Sequence, residues 1–336
     1  MFGKTSITYN STEDLFKVFR TFNVLIIGDV MIDSYLWGKV DRISPEAPVP
    51  IVHVQKREKR PGGAANVALN IRSMGATPML CGLIGNDIDG TDFIQIVQQS
   101  GIDTSGLIAS DERVTTIKHR IISASHHLLR VDQEDDKPAS VKETEALKKA
   151  ALSLLDKAHV VVFEDYDKGV LTPELIQFVT EEAKKRNIPT VVDPKKRNFL
   201  SYLGCTLFKP NRKELKEGLK TDLNLNDPDQ LEKAALELQS ILKCDSLFIT
   251  LSERGVYWSN GKEHLHIPAH HREIADVSGA GDTVISVAAL CAAAQVKPEL
   301  LASISNLSGG LVCEQVGVVP IDPKLLEKEI KRLGLI

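Results

Sequence analysis

Between Asp276 and Thr283 the chain reads Asp-Val-Ser-Gly-Ala-Gly-Asp-Thr, a run of small residues with a carboxylate at either side. Val284 to Ala294 follow, apolar, alanine-rich and free of proline, which predicts a buried helix with Gly279, Ala280 and Gly281 in its first turn. A helix start exposes unpaired N–H groups and partial positive charge, and glycine lets that backbone approach an anion closely. The turn therefore reads as a phosphate cradle. Asp282 is the odd member, because a carboxylate beside an anion is repelled unless it has work there. Taking the proton from a hydroxyl that attacks the phosphate is such work. The same residues also fit a plain glycine-rich turn with an aspartate favoured by the macrodipole, so other segments must decide.

A second candidate loop is Pro61-Gly62-Gly63-Ala64-Ala65-Asn66, where two glycines again precede a helix. Taken alone it is equally well a loop entering a helix. Further polar residues stand where apolar runs end: Asp29 and Asp33, Glu164 and Asp165, Asp193 and Lys195, Asn211 and Glu214, Ser252 and Glu253. Singly, each is an ordinary loop residue. Their accumulation at the ends of successive strands is the informative feature.

The elements that would carry them alternate. Asn23 to Gly28 is a continuous apolar run, as expected of a parallel strand buried on both faces. From Val141 onward the pattern predicts helix 141–157, strand 159–164, helix 173–186, strands 190–193 and 206–209, and helix 213–219. Helix 228–242, strand 246–251 and a hairpin containing Gly255 follow. This is a doubly wound α/β sheet with helices on both faces, in which ligands bind beyond the carboxyl ends of the strands. Two patches break the pattern. Residues 34–60 are rich in prolines and alternation, and 113–132 alternate on either side of a turn. They predict a small sheet standing apart as a lid, whose apolar face calls for a partner, hence a homodimer joined through the lid.

The totals exclude other classes. With 336 residues, 43% hydrophobic, 26% charged and a net charge of -4, nothing calls for nucleic acid or an anionic membrane as partner. Phosphate binding must then be local. Five scattered cysteines without a C-x-x-C pair read as reduced thiols, and no zinc site is indicated. His126-His127 and His270-His271 read as loop residues. Residues 1–20 lack a signal-peptide core and the run 284–296 is too short to span a bilayer, so the expectation is a soluble cytoplasmic protein.

Gly62-Gly63-Ala64-Ala65-Asn66-Val67-Ala68 with Gly75 and Gly85 resembles the N-terminal signature of the ribokinase-like (PfkB) carbohydrate kinases. Asp276 to Asp282 resembles their C-terminal signature, and Asn211-Arg212-Lys213-Glu214 their N-x-x-E motif. Gly28 to Asp33, Arg42-Ile43-Ser44-Pro45-Glu46-Ala47-Pro48-Val49-Pro50 and Gly279 to Ile285 are similar to the heptose 7-phosphate kinase branch. Ser278 and Lys209 stand where threonine is as readily expected, and Val287 where the pattern has glycine or alanine.

The resemblance implies one kinase domain over 1–336, with Mg-ATP as co-substrate and phosphorylation of the anomeric hydroxyl of a heptose 7-phosphate on the way to ADP-heptose and lipopolysaccharide. It implies Asp282 as the base, with Gly279, Ala280 and Gly281 donating N–H groups to the transferring phosphoryl. Asp33, Gly62, Gly63 and Asn66 would meet the sugar, and Lys195 and Arg130 its phosphate, with Lys168 a third cation. Asn211 and Glu214 would hold Mg²⁺ through water, beside Ser252, Gly255 and Gly281 at the nucleotide. Asn211 and Glu214 equally form a helix-capping pair. In many members of this branch a nucleotidyltransferase domain with an H-x-G-H motif is fused on. His270-His271 does not make that motif, so adenylyl transfer is expected of another protein. A kinase of another sugar is the nearest rival. A nonenzymatic sensor would be expected to have lost the base or the anion cradle.

Overall fold

The computed structural model describes residues 6–123 and 126–336. Thirteen strands are found among them: β1 (Asn23–Gly28), β2 (Val30–Ile43), β3 (Pro50–Gly63), β4 (Thr77–Gly85), β5 (Asp103–Ser110), β6 (Ile117–Ser123), β7 (His126–Gln133), β8 (Val160–Glu164), β9 (Thr190–Asp193), β10 (Leu207–Phe208), β11 (Ser246–Thr250), β12 (Val256–Ser259) and β13 (His264–Ile267). The helices are α1 (Thr12–Phe19), α2 (Ala64–Ser73), α3 (Ile88–Gln99), α4 (Val141–Leu155), α5 (Pro173–Lys185), α6 (Arg212–Leu219), α7 (Pro228–Leu242), α8 (Ala280–Ala293), α9 (Pro298–Val312) and α10 (Pro323–Leu333).

The larger sheet runs β13-β12-β11-β10-β9-β8-β1-β4-β5, parallel from β11 to β5 with β12 and β13 antiparallel at one edge. In β1, Val24 and Ile26 pack into the layer of α1, α2, α8 and α9, whereas Leu25 and Ile27 pack into the layer of α4, α5 and α7. That split is the period-2 alternation of a strand buried on both faces, and explains why the run is apolar throughout. Burying each such side chain contributes about 1.5–3 kcal/mol. β1 lies between β4 and β8, so the chain winds away from it in both directions. A crevice opens at such a switch point. The register aligns Gly28 with Glu164 and Glu164 with Asp193, which brings three strand ends to one edge.

The separate sheet is ordered β3-β2-β6-β7. It begins at Val30 and closes at Gly63, which pair with one another, so the lid strands run over 30–63 and 117–133 rather than 34–60 and 113–132. Alternation and prolines mark only the solvated part. The roots of β2 and β3 are buried, with Met31, Ile32 and Pro61 to Gly63 inside, and read in sequence as core. The sequence reading also passed over α3, β5, α9 and α10. No helix among the described residues is long and apolar enough to cross a membrane.

Candidate active site

Helix α8 starts at the carboxyl edge of the sheet. Gly279, its N-cap, has φ +79°, a left-handed conformation that glycine adopts without strain. A Cβ there would lie 3.0 Å from Asn66 Nδ2 and 3.1 Å from Val318 Cγ1, so the turn is also packed too closely for a side chain. Behind Gly281, Asp282 is 6% exposed and held at both carboxylate oxygens. Asn66 Nδ2 donates to Oδ2 at 2.6 Å and Tyr166 Oη donates to Oδ1 at 2.8 Å. Burial pushes the Asp282 carboxyl up to about 6, against the pull of those two donors.

A polar ladder fixes α8 against α2. Thr283 Oγ1 donates to Asn70 Oδ1 at 3.0 Å, Asn70 Nδ2 donates to Asn66 O at 3.0 Å, and Ser286 Oγ donates to Val67 O at 3.3 Å. These groups are buried and satisfied, so Asp282 sits on a rigid support. Asn66, expected at the sugar, thus faces Asp282.

Around Asp282 the strand ends contribute charge of both signs. Lys209, 3% exposed, pairs with Asp193 at 2.9 Å, and Lys195 pairs with Glu214 at 2.8 Å. Burial works against the Lys195 charge, but Asp193, Glu214 and Glu164 outweigh it and hold the ammonium above its ordinary value. Lys195 Nζ also lies 5.3 Å from the centroid of the Tyr166 ring. Carboxylate oxygens of Glu164, Asp193 and Asp282 lie within 4.8 Å of one another. Neither oxygen of Glu164 has a hydrogen-bond partner, and burial followed by the Asp193 and Asp282 charges raises its carboxyl well above the usual range. A buried carboxylate without donors is costly unless a proton or a cation answers it, and an all-oxygen set fits a hard divalent cation.

Asn211 and Glu214 form the capping box of α6: Asn211 Oδ1 accepts from Glu214 N–H at 2.9 Å, and Glu214 Oε2 accepts from Asn211 N–H at 2.8 Å. With Glu214 Oε1 on Lys195, both of its oxygens are engaged. The helix-capping alternative is realised in Asn211 and Glu214, and the carboxylate oxygens without any hydrogen bond are those of Glu164. Ser252 and Gly255 line a cavity of about 590 Å³ that reaches Ala280 and Gly281 and is walled by Val256, Val284 and Leu307. His270 and His271 line it too. A largely apolar slot ending at a helix N-terminus suits an adenine-bearing triphosphate.

On the lid, Asp33 forms an ion pair with Arg120, an arginine the sequence reading did not single out. Arg130 stands opposite Arg120 across β6 and β7, but is exposed and bound at Nε to Asp132 at 3.0 Å. Gly62 is closed to side chains because a Cβ would come within 2.4 Å of Asp33 Oδ2. Gly63 has φ +58° and starts α2. Lys168 is bound to Glu134 at 2.7 Å. The site residues missed in sequence are thus Tyr166, Arg120, Asn70 and Thr283. Tyr166 follows directly on the strand-end pair Glu164 and Asp165, and that adjacency was its only signal.

Comparison with known proteins gives the family and the fold. The model of the pfkB family carbohydrate kinases matches residues 21–325. The chain is 40% identical over 304 residues to "Bifunctional protein HldE" of Magnetococcus marinus, covering 89% of this chain and 62% of that one. To the protein of the same name from Desulfatibacillum aliphaticivorans it is 36% identical over 316 residues, covering 94% and 64%. It thus spans somewhat under two thirds of the length of these relatives. In fold it is similar to Escherichia coli phosphofructokinase-2 in complex with fructose-6-phosphate, with TM-score 0.77, 17% identity and coverage of 93% and 99%. Arabidopsis thaliana ribokinase complexed with ribose and ATP gives TM-score 0.70, 14% identity and coverage of 91% and 99%. The chain belongs to the pfkB family of carbohydrate kinases, the sugar phosphotransferases of ribokinase-like fold.

Proposed function

We propose that the chain transfers the γ-phosphoryl group of ATP to the anomeric hydroxyl of D-glycero-β-D-manno-heptose 7-phosphate, giving the 1,7-bisphosphate for ADP-heptose and lipopolysaccharide core synthesis. The observation that carries the transfer is Asp282, buried at the start of α8 between the apolar cavity and the lid. The heptose rests on the resemblance to that branch and on relatives 36–40% identical.

In this reading the sugar lies under the lid, with Asp33 accepting from its hydroxyls. Asp282 accepts the proton of the attacking hydroxyl, each carboxylate oxygen keeping a lone pair free beside its donor. N–H groups of Gly279, Ala280 and Gly281 meet the transferring phosphoryl, whose charge is spread over three oxygens. Lys209, paired with Asp193, adds positive charge at the same edge. Glu164 and Asp193 would hold the Mg²⁺, with Asn211 and Glu214 beyond its water shell. When bound, the ion neutralises charge developing on the phosphates. The cations for the phosphate already on the sugar are Lys195, Arg120 and Arg130. Such a reaction belongs in the cytoplasm, where ATP is supplied and cysteines stay reduced; all five here are free thiols.

The test is turnover with Mg-ATP and three acceptors: the heptose 7-phosphate, the unphosphorylated heptose and fructose 6-phosphate. A clear preference in kcat/KM for the first is expected. Equal use of the free sugar, or preference for fructose 6-phosphate, overturns the heptose assignment and leaves a kinase of another sugar.

A further inference from the structure

The loop after β8 is tied down from below. Asp29, fully buried at the end of β1, accepts three backbone N–H groups of this loop. Tyr166 N–H reaches Oδ2 at 2.8 Å, Lys168 N–H reaches Oδ2 at 3.0 Å, and Val170 N–H reaches Oδ1 at 3.1 Å. The loop's own turn is closed by Asp167 N–H to Asp165 Oδ1 at 2.9 Å, while Tyr202 Oη and Asn198 Nδ2 reach Asp165 Oδ2 from the opposite side. The hydrogen bonds to the Asp29 carboxylate all come from backbone N–H groups of this loop, so the carboxylate shapes the loop. What the loop delivers is Tyr166, whose hydroxyl donates to Asp282 and whose ring lies under the Lys195 ammonium.

We propose that Tyr166 is a positioning residue for the base, and that Asp29 acts through it: Asp29 fixes the loop, the loop fixes the phenol, and the phenol fixes the rotation of the Asp282 carboxylate. Asn66 alone constrains one oxygen and leaves the group free to turn about that hydrogen bond. The second donor, arriving from the opposite helical layer's loop, removes the rotation and leaves a defined lone pair for the sugar hydroxyl. The ring has a separate task as the platform for Lys195. The hydroxyl should accordingly govern turnover and the ring should govern affinity for the charged substrate. This inference rests on the reading of Asp282 as the base.

The experiment is steady-state kinetics with Mg-ATP and D-glycero-D-manno-heptose 7-phosphate on Tyr166→Phe, Tyr166→Leu, Asp29→Asn, the double variant Asp29→Asn/Tyr166→Phe, and Asp282→Asn. Losing one hydrogen bond to a charged group, Tyr166→Phe should lower kcat about tenfold to a hundredfold, with both KM values within about twofold of wild type. Tyr166→Leu, which also removes the ring, should in addition raise KM for the sugar phosphate. Asp29→Asn should lower kcat, and in the Tyr166→Phe background should cost clearly less than it does alone. If Asp29→Asn does not fold, the split between kcat and KM in Tyr166→Phe decides. A Tyr166→Phe enzyme with kcat within about twofold of wild type, beside an inactive Asp282→Asn, overturns the positioning role and spares the base. An active Asp282→Asn overturns the base assignment and the positioning role with it.

Discussion

As the proposed base, Asp282 carries opposite demands, because a base must be ionised to work and burial opposes ionisation. With its carboxyl pushed up to about 6, kcat/KM should climb as pH rises toward that value and level off above it. Asp282→Asn should lower kcat by about two to four orders of magnitude while ATP still binds, as isothermal titration would register. Near-normal turnover would reject the assignment. Stability should move the other way. The ordinary aspartate value is about 3.9, so between about pH 4 and 6 the folded chain holds more protons at this site than the unfolded chain, and stability falls as pH rises through that window. Asp282→Asn removes the penalty, and its melting temperature should exceed that of wild type at about pH 8, the gap closing below about pH 4. Equal melting temperatures at both ends would count against the buried carboxyl. At this scale the sequence alone singles out Asp282, which follows Gly279 and Gly281 into an apolar helix, and the structure places it buried in the first turn of α8. It could not name the groups that orient it: Tyr166 comes from 116 positions away in the chain and owes its place to a loop clasped by Asp29.

Strand register decides what composition leaves open in the lid. Alternation puts Lys118, Arg120, Arg130 and Asp132 on one face, and it is the pairing of β6 with β2, Tyr35 aligned with Arg120, that brings Arg120 rather than Arg130 to Asp33. β7 is the outer strand, so Arg130 stays in solvent, 59% exposed. Which of two arginines on one face meets a given aspartate depends on strand order, and no local pattern encodes that. Arg120→Ala should therefore raise KM for the phosphosugar by about tenfold to a hundredfold, the loss expected for a charge-assisted contact, and Arg130→Ala should raise it less. The reverse order would restore Arg130 as the principal phosphate ligand. Gly62→Ala is the matching change in β3: its Cβ would meet Asp33 Oδ2 at 2.4 Å, against the rigid end of a buried strand. The Asp33–Arg120 pair must shift, so KM for the sugar should rise more than tenfold with KM for ATP within about twofold. The central parallel strands were easier to read, because β1 and β8 are apolar along most of their length and run into polar residues, whereas the edge strand β5, Asp-Thr-Ser-Gly-Leu-Ile-Ala-Ser, is half polar and was passed over.

At the scale of the molecule, the lid leaves large apolar side chains of its outer strands exposed. Leu129 and Val131 on β7 are 56% and 47% exposed, and their register partners Ile121 and His119 put them on the face opposite to Arg120. Ile43 and Val54, at 60% and 38%, extend the exposed apolar surface onto β2 and β3. Exposed apolar side chains on a sheet, two of them on the edge strand β7, are a pairing surface, and a second copy of the same sheet is complementary to it by symmetry. A homodimer through the lid is the expected assembly, and it would have a functional consequence, since β2 and β6 carry Asp33 and Arg120: packing the outer face should stiffen the inner one. Light scattering at micromolar concentration should give twice the mass of one chain. Leu129→Glu/Val131→Glu should give a monomer, because charged side chains at the centre of the patch cannot be buried unpaired. That monomer should keep its affinity for ATP, for which the cavity at β12 and α8 is the proposed site, and lose affinity for the sugar phosphate. A wild-type monomer would remove the dimer. A dimer that survives the double substitution would move the interface off this face, and a monomeric variant with unchanged KM for the sugar would separate assembly from the site.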